Sequence, residues 1–402
     1  MRIKLLFLFF SVLFFLSCSQ EGIEEVVAPT TTMEVVDAEI QGHREEISEE
    51  PSPVVLRTQN WLAQIQQPNG LLESSENTNF VSLYDNALAA LIFTSQGDLE
   101  RAERIFDFFD LRREAELLQG HGGFFQFRDA AGENGNRSWM GDNVWLLIAL
   151  NNYHTYTGNQ RYSPLAQELE TWIRSLQDED GGLWGGYNAD GTRIPKVTEG
   201  IITAFNAVAG YDAFHKNILA YLKQQRWDIE AKTLIASPET PAYNFALDLH
   251  SLGYSILKDF PEDVLPMADR YRTTQTATVT GEEISGYCFD EDKDVIWLEG
   301  TAQMAFAFQL AGMPSVSDEL LAEIEKTFIT SASLEASSGI PYTTNQGTTY
   351  GATRLWDHAD LTPALSSNAW YLFTKLNFDP FELQREKEIP PSDKFWLLEA
   401  TD

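Results

Sequence analysis

Between residues 55 and 380 the chain alternates two kinds of helical pattern. Six segments are apolar almost all the way round, each opened by an acidic or polar residue. They read "YDNALAALIF" from Asp85, "GDNVWLLIAL" from Asp142, "TEGIITAFNA" from Glu199, "AYNFALDLHSL" from Tyr243, "LEGTAQMAFAF" from Glu299 and "SSNAWYLFTKL" from Ser367. A helix without a polar face belongs in a protein interior. Between them lie segments such as "DLERAERIFDFFDL" (98–111), "SPLAQELETWIRSLQ" (163–177) and "DELLAEIEKTFI" (318–329). These carry one apolar stripe at helical spacing and predict covering helices. Successive openings are about 57, 57, 44, 56 and 68 residues apart, the length of a two-helix hairpin with one elaborated loop.

A glycine-aromatic loop precedes most openings: "PNGLLES" (68–74), "HGGFFQF" (121–127), "GGLWGGY" (181–187), "SGYCFD" (285–290) and "SGIPYTT" (338–344). The fourth unit offers "AKTLIAS" (231–237) in its place. Six buried helices alternating with six amphipathic ones predict an all-α (α/α)6 barrel, or toroid, with inner and outer rings. Its inner helices run parallel, so their N-termini and the loops before them share one mouth. The competing arrangement is an open helical solenoid.

Composition narrows the partners. The 402 residues are 43% hydrophobic and 12% aromatic, enough for a large core, and the net charge of −32 opposes nucleic acid and anionic lipid. An uncharged glycan meets no such barrier. The N-terminal "MRIKLLFLFFSVLFFLSCSQ" has a basic start and an apolar run too short for a bilayer. Ending in "FLSC", it resembles a bacterial lipoprotein signal over residues 1–17, which implies lipidation of Cys18, export and a membrane anchor; a plain secretory signal is the alternative. Residues 18–54, acidic and punctuated by proline, read as a disordered tether, residues 55–380 as the toroid and 381–402 as a C-terminal extension. Cys288 is left without a disulfide partner, and a monomer is expected.

"YDNALAAL", "GDNVWLLIAL", "WLEGTAQMAFAF" and "SLQDEDGGLWGGY" together resemble the six-hairpin glycosidase superfamily, (α/α)6 toroids that include unsaturated glucuronyl hydrolases and exported glycanases. The resemblance implies a glycoside hydrolase acting at the mouth, with inversion as these toroids commonly show. In the glucuronyl hydrolases the working aspartates open neighbouring inner helices, a placement that Asp85 and Asp142 match; their uronate-binding pattern has no counterpart here.

Glycosidic cleavage needs an acid for the leaving oxygen and a base or nucleophile on the other face, so two carboxylates in different environments suffice. Asp85, Asp142, Glu199 and Glu299 are the catalytic candidates, with Glu199 as the acid and Asp142 as the base. Each could equally cap its helix, since a first-turn carboxylate complements the helix dipole. Flat rings stack on pyranose faces, which makes Trp139, Trp184, Tyr187, Phe124, Phe125, Tyr287, Tyr342 and Trp356 substrate-binding candidates, alongside His121, His358 and Arg354. Trp145 and Trp370, inside inner helices, read as core, as does His154. "FDEDKD" (289–294) spaces Asp290, Asp292 and Asp294 like a calcium loop but lacks its glycine and distal glutamate, and a solvated turn is the expectation. There is no phosphate loop, paired cysteine set or HExxH, so no metal and no cofactor are expected. Two other functions stay open: a glycan-binding lipoprotein without catalysis, and a polysaccharide lyase with Tyr243 or His121 as base. An epimerase would call for several histidines at the mouth.

Overall fold

A computed structural model describes residues 51–237, 244–347, 349–350, 353–354 and 359–397. The predicted inner helices are α2 (Leu83–Ser95), α4 (Met140–Thr157), α6 (Thr198–Ala207), α8 (Asp248–Ile256), α10 (Leu298–Leu310) and α12 (Leu365–Lys375). Their apolar runs are buried on every side; in α2, for example, all but one of the residues from Leu83 to Thr94 are buried. The outer helices are α1 (Pro53–Ile65), α3 (Leu99–Arg112), α5 (Ser163–Ser175), α7 (Ala213–Tyr221), a short α9 (Val264–Met267) and α11 (Pro314–Glu325). In α3 only Ala102, Ile105, Phe106, Phe108 and Phe109 are buried, the stripe that an amphipathic cover requires.

Local chemistry sets the helix ends. Ser52, Ser82 and Asp212 cap α1, α2 and α7 through their side chains, and proline stands in the first turn of α1, α5 and α11. Gly158, at φ 67°, ends α4 by returning its N–H to His154 O.

Each inner helix packs on the next, and α12 returns to α2. The ring is therefore closed, and the open solenoid is excluded. Six backbone hydrogen bonds repeat the closure at the mouth, each tying the first residue of an inner helix, or in α8 the residue just before it, to the loop of the following unit. They run Leu83 N to Gln126 O (2.9 Å), Met140 N to Gly185 O (2.8 Å), Thr198 N to Ala236 O (3.1 Å), Leu247 N to Phe289 O (2.9 Å), Leu298 N to Tyr342 O (3.0 Å) and Leu365 N to Ser74 O (2.8 Å). The last joins the sixth unit to the first.

The glycine-aromatic loops are held from below by buried amides. Asn143 accepts from Phe124 N (2.8 Å) and donates to Phe124 O (3.0 Å) and Trp139 O (2.8 Å). Asn86 clasps Leu72 and Asn368 clasps Ile340 in the same way. Thr301 does this for Tyr287. The asparagine that follows Asp85 and Asp142 in the sequence is thus a loop clamp.

The fourth unit departs from expectation. Its inner helix starts at Asp248, and Tyr243 falls outside the described residues. With Asp248 as the opening, the two uneven steps become roughly 49 and 51 residues. In the sixth unit Ser366, one residue before the expected Ser367, faces the mouth; Ser367 is fully buried.

Residues 380–387, after α12, cross the end opposite the mouth. Phe381 is fully buried against Trp145 (5.3 Å between centroids) and Trp370 (6.2 Å). Asn152 donates to Pro380 O, Asn206 to Phe381 O, Arg385 to Ser255 O and Lys387 to Val208 O. These partners lie at the C-terminal ends of α4, α6 and α8, so the segment forms the barrel floor.

Candidate active site

Parallel inner helices bring six first turns to one place, and the structure has a cavity of about 440 Å3 there. Its walls carry five carboxylates, Asp85, Asp142, Glu199, Asp248 and Glu299, one from each of the first five inner helices. Aromatic rings complete it: Trp139, Trp145, Trp297, Tyr84, Tyr342, Phe80, Phe127 and Phe289. Short antiparallel pairs fix the rim, Val81–Ser82 (β1) with Phe127–Arg128 (β2) and Ser138–Trp139 (β3) with Gly186–Tyr187 (β4). Strands β1 and β3 run straight into α2 and α4, which puts Asp85 and Asp142 in the first turns.

The environments of the five differ. Asp142 accepts from Tyr84 N (3.4 Å) and from the Gln126 amide (3.5 Å), whose oxygen accepts from Arg137 Nε (2.6 Å). Burial pushes its carboxyl up to about 7, while the Tyr84 N–H, the Arg137 guanidinium and the Gln126 amide favour its ionised form. Glu199 is half-buried; desolvation, then the charges of Asp248 and Asp142, push it up to about 8, and a Trp145 hydrogen bond only partly offsets this. Glu299 accepts from the Tyr84 hydroxyl (2.7 Å) and the Gln303 amide (3.3 Å), and burial still pushes it up to about 7. Burial likewise takes Asp248 to about 7, and raises Asp85 well above the usual carboxylate range despite a bond from Ser74.

A helix N-terminus alone would lower these carboxyls. Desolvation outweighs it at every one. Gly141 allows the crowding: a Cβ there would lie 2.6 Å from Trp139 Nε1 and 3.3 Å from Glu199 Oε2.

Of the residues singled out from the sequence, Asp85, Asp142, Glu199, Glu299, Trp139 and Tyr342 meet at the cavity. Others stand elsewhere. Phe124 is a core residue, fully buried against Phe109, and cannot stack on a ligand. Tyr287 is also buried, its hydroxyl on Asp269. Phe125 packs over Gly135, and Trp184 lies between Arg193 and Lys196, both away from the cavity lining. His121 stacks on Tyr187 at 4.4 Å outside the cavity lining. Trp356 and His358 lie outside the described residues, as does Cys18, and of Arg354 only the backbone, in a short strand, is described. His154 is half-buried at the end of α4, bonded to Asn159 O and Gln160, and is no core residue. Trp145 is buried as expected and also borders the cavity. In "FDEDKD" the aspartates accept from backbone N–H groups two residues on, Asp292 to Asp290 (3.1 Å) and Asp294 to Asp292 (3.0 Å). Cys288 is buried, which pushes its thiol up to about 12.

Sequence reasoning missed Asp248 and Tyr84. Asp248 carried a usable signal, an acid immediately before the apolar run "LHSLGYSI". Tyr84 carried none, because its partners Glu299, Asp142 and Trp370 are all distant in the chain.

No protein-family model matches the chain, and no curated protein does. Solved structures do. A glycosidase variant in complex with glucose aligns at TM-score 0.55 and 13% identity, covering 81% of this chain and 96% of that one. A cellobiose 2-epimerase from Bacillus thermoamylovorans aligns at TM-score 0.56 and 11% identity, covering 85% and 99%. A sugar epimerase from a ruminal bacterium aligns at 0.55 and 12%, covering 84% and 98%. At such identities the likeness establishes the fold. That fold is an (α/α)6 toroid.

Proposed function

We propose that the protein is a carbohydrate-active enzyme, and specifically a glycoside hydrolase that cleaves an oligo- or polysaccharide in the cavity at the toroid mouth. The observation that carries this reading is the cavity at the mouth, lined by five carboxylates and by flat aromatic rings, with Glu199 and Asp142 on neighbouring helices. Glu199, desolvated and facing the charges of Asp248, Asp142 and Glu299, retains its proton near neutral pH, and Asp142 faces the donors that favour its anion. An acid and a base of similar pKa, both near the working pH, are what general acid–base catalysis requires.

In this mechanism the Glu199 carboxylic acid gives its proton to the glycosidic oxygen as the C–O bond breaks. Asp142 takes a proton from a water that attacks the anomeric carbon from the opposite face, and the configuration inverts. Both groups then return to their starting states by proton exchange with solvent. Trp139, Trp297 and Tyr342 supply flat surfaces for the pyranose rings.

Hydrolysis is favoured over epimerisation by the placement of histidines. None of the four in the described residues, His121, His154, His215 and His250, lines the cavity. It is favoured over lyase chemistry by charge, since Arg137 is the one cation among the described lining residues and could not neutralise a uronate amid five acids.

Screening against a glycan panel tests the reading. Asp142→Asn and Glu199→Gln should each lower kcat by about 10²- to 10⁴-fold, and full hydrolysis by both variants overturns the assignment. We further propose that a lipid on Cys18 and the acidic segment after it tether the toroid to a bacterial membrane. No helix among the described residues is long and apolar enough to cross one. Release of the protein into the soluble fraction by Cys18→Ala is the expected outcome.

A further inference from the structure

The cavity is walled by every unit of the ring. Asp85, Asp142, Glu199, Asp248, Glu299 and Ser366 come in turn from the six inner helices, and each of those helices packs on the next. A glycan lying across the barrel at the depth of the carboxylates would have to pass through that wall.

The lining also continues below the acids. Trp145, Leu252 and Gln303 follow Asp142, Asp248 and Glu299 by three or four residues, which sets them on the same faces of α4, α8 and α10, one turn deeper. A helical turn rises about 5.4 Å, close to the length of one pyranose residue. This lower space is closed beneath. Trp145 is only 2% exposed, and against it Trp370 (5.7 Å between centroids) and Phe381 (5.3 Å) are fully buried in the floor. At about 30 Å3 per water, the 440 Å3 of the cavity equals roughly fifteen waters, the bulk of about two pyranose residues.

The lower space carries an indole, an aliphatic side chain and an amide, and the Gln303 amide is held by Glu299 (3.3 Å) and Ser251 (3.4 Å). These groups suit a neutral ring. An internal residue of a glycan has a neighbour on each side, and both would have to leave through the mouth. A terminal residue has one.

We propose that the cavity admits only the end of a glycan chain. The terminal residue, a neutral sugar, fills the space bounded by Trp145, Leu252 and Gln303, the next residue lies towards the mouth, and Glu199 and Asp142 act on the bond between them. The proposal rests on the hydrolytic reading of this site and makes the enzyme exo-acting. Each turnover breaks the terminal C–O bond and adds one water across it, hydroxyl to the anomeric carbon and proton to the leaving oxygen, and frees one monosaccharide.

The test uses the full chain with the linear hexamers derived from laminarin, xylan, mannan and amylose, and with each parent polymer. Chromatography of the first products from a cleaved hexamer should show the monosaccharide and the pentamer. Binding is measured by calorimetry with the Glu199→Gln protein, so that turnover does not intrude, and Kd expressed per chain should be equal for a hexamer and its polymer. Dimers, trimers or tetramers among the first products overturn the proposal, as does a per-chain Kd that tightens in proportion to chain length. So does a protein that neither binds nor cleaves any of these glycans. The two readings fail separately: equal per-chain binding without cleavage by the wild-type protein refutes hydrolysis alone, and cleavage within the chain refutes the chain-end reading alone.

Discussion

Replacing Glu199 with glutamine should stabilise the protein, by an amount that grows with pH. The glutamate carboxyl has an ordinary value of 4.5 and stands at about 8 in the folded chain, chiefly through desolvation and then the Asp248 and Asp142 charges. Below pH 4.5 both folded and unfolded chains hold the proton, and the substitution is nearly neutral. From there to about pH 8 the unfolded chain ionises while the folded chain does not, which removes about 1.4 kcal/mol of stability per pH unit. The wild-type penalty is thus under about 1 kcal/mol at pH 5, about 3 kcal/mol at pH 7 and about 5 kcal/mol at pH 9. Urea unfolding of both proteins at these three pH values, followed by tryptophan fluorescence, measures the difference. A stability gain that stays flat within about 1 kcal/mol, or shrinks as pH rises, refutes a protonated Glu199 in the folded state. Because Asp248 contributes to the shift, adding Asp248→Asn should stabilise by less than the sum of the two single changes.

Three further outcomes are expected. The pH–rate profile should be a narrow bell, rising through about 7 as Asp142 loses its proton and falling through about 8 as Glu199 does; Arg137→Met should move the rising limb upward and leave the falling one. Asn143→Ala removes two buried hydrogen bonds to the Phe124 loop and a third to Trp139 O, and should cost about 2–5 kcal/mol in urea unfolding, with the rim of the cavity loosened. Tyr84→Phe leaves Trp370 Nε1 without its 2.8 Å acceptor and Glu299 without its hydroxyl donor, which should destabilise by about 1–3 kcal/mol and raise the Glu299 carboxyl in a carboxylate-resolved NMR titration.

The six-unit plan was readable because burial leaves a local mark. A helix enclosed on all sides must be apolar on all sides, and α2, α4, α10 and α12 announced themselves through that. Unit four was harder: α8 is only nine residues long, its outer partner α9 is four, and its loop lacks the glycine-aromatic signature, so the opening was placed at Tyr243 instead of Asp248. Loop aromatics were the weaker guide. Phe124, Tyr287 and Trp139 all precede inner helices, yet the first two turn into the core and only the third reaches the cavity. Which way a loop ring turns depends on the helix it meets, as Phe124 meets Phe109, and that neighbour is absent from the local sequence.

By itself, the sequence determined the buried helices and the acids at most of their openings, since each depends on residues within one or two turns. Tertiary structure decided the surroundings of those acids. Closure of the ring brought Glu199, Asp142, Asp248 and Glu299 into one poorly solvated cavity, where desolvation and mutual repulsion exceed the pull of each helix dipole. Neither effect exists along an isolated helix. Both arise only when first turns some fifty residues apart share the same space.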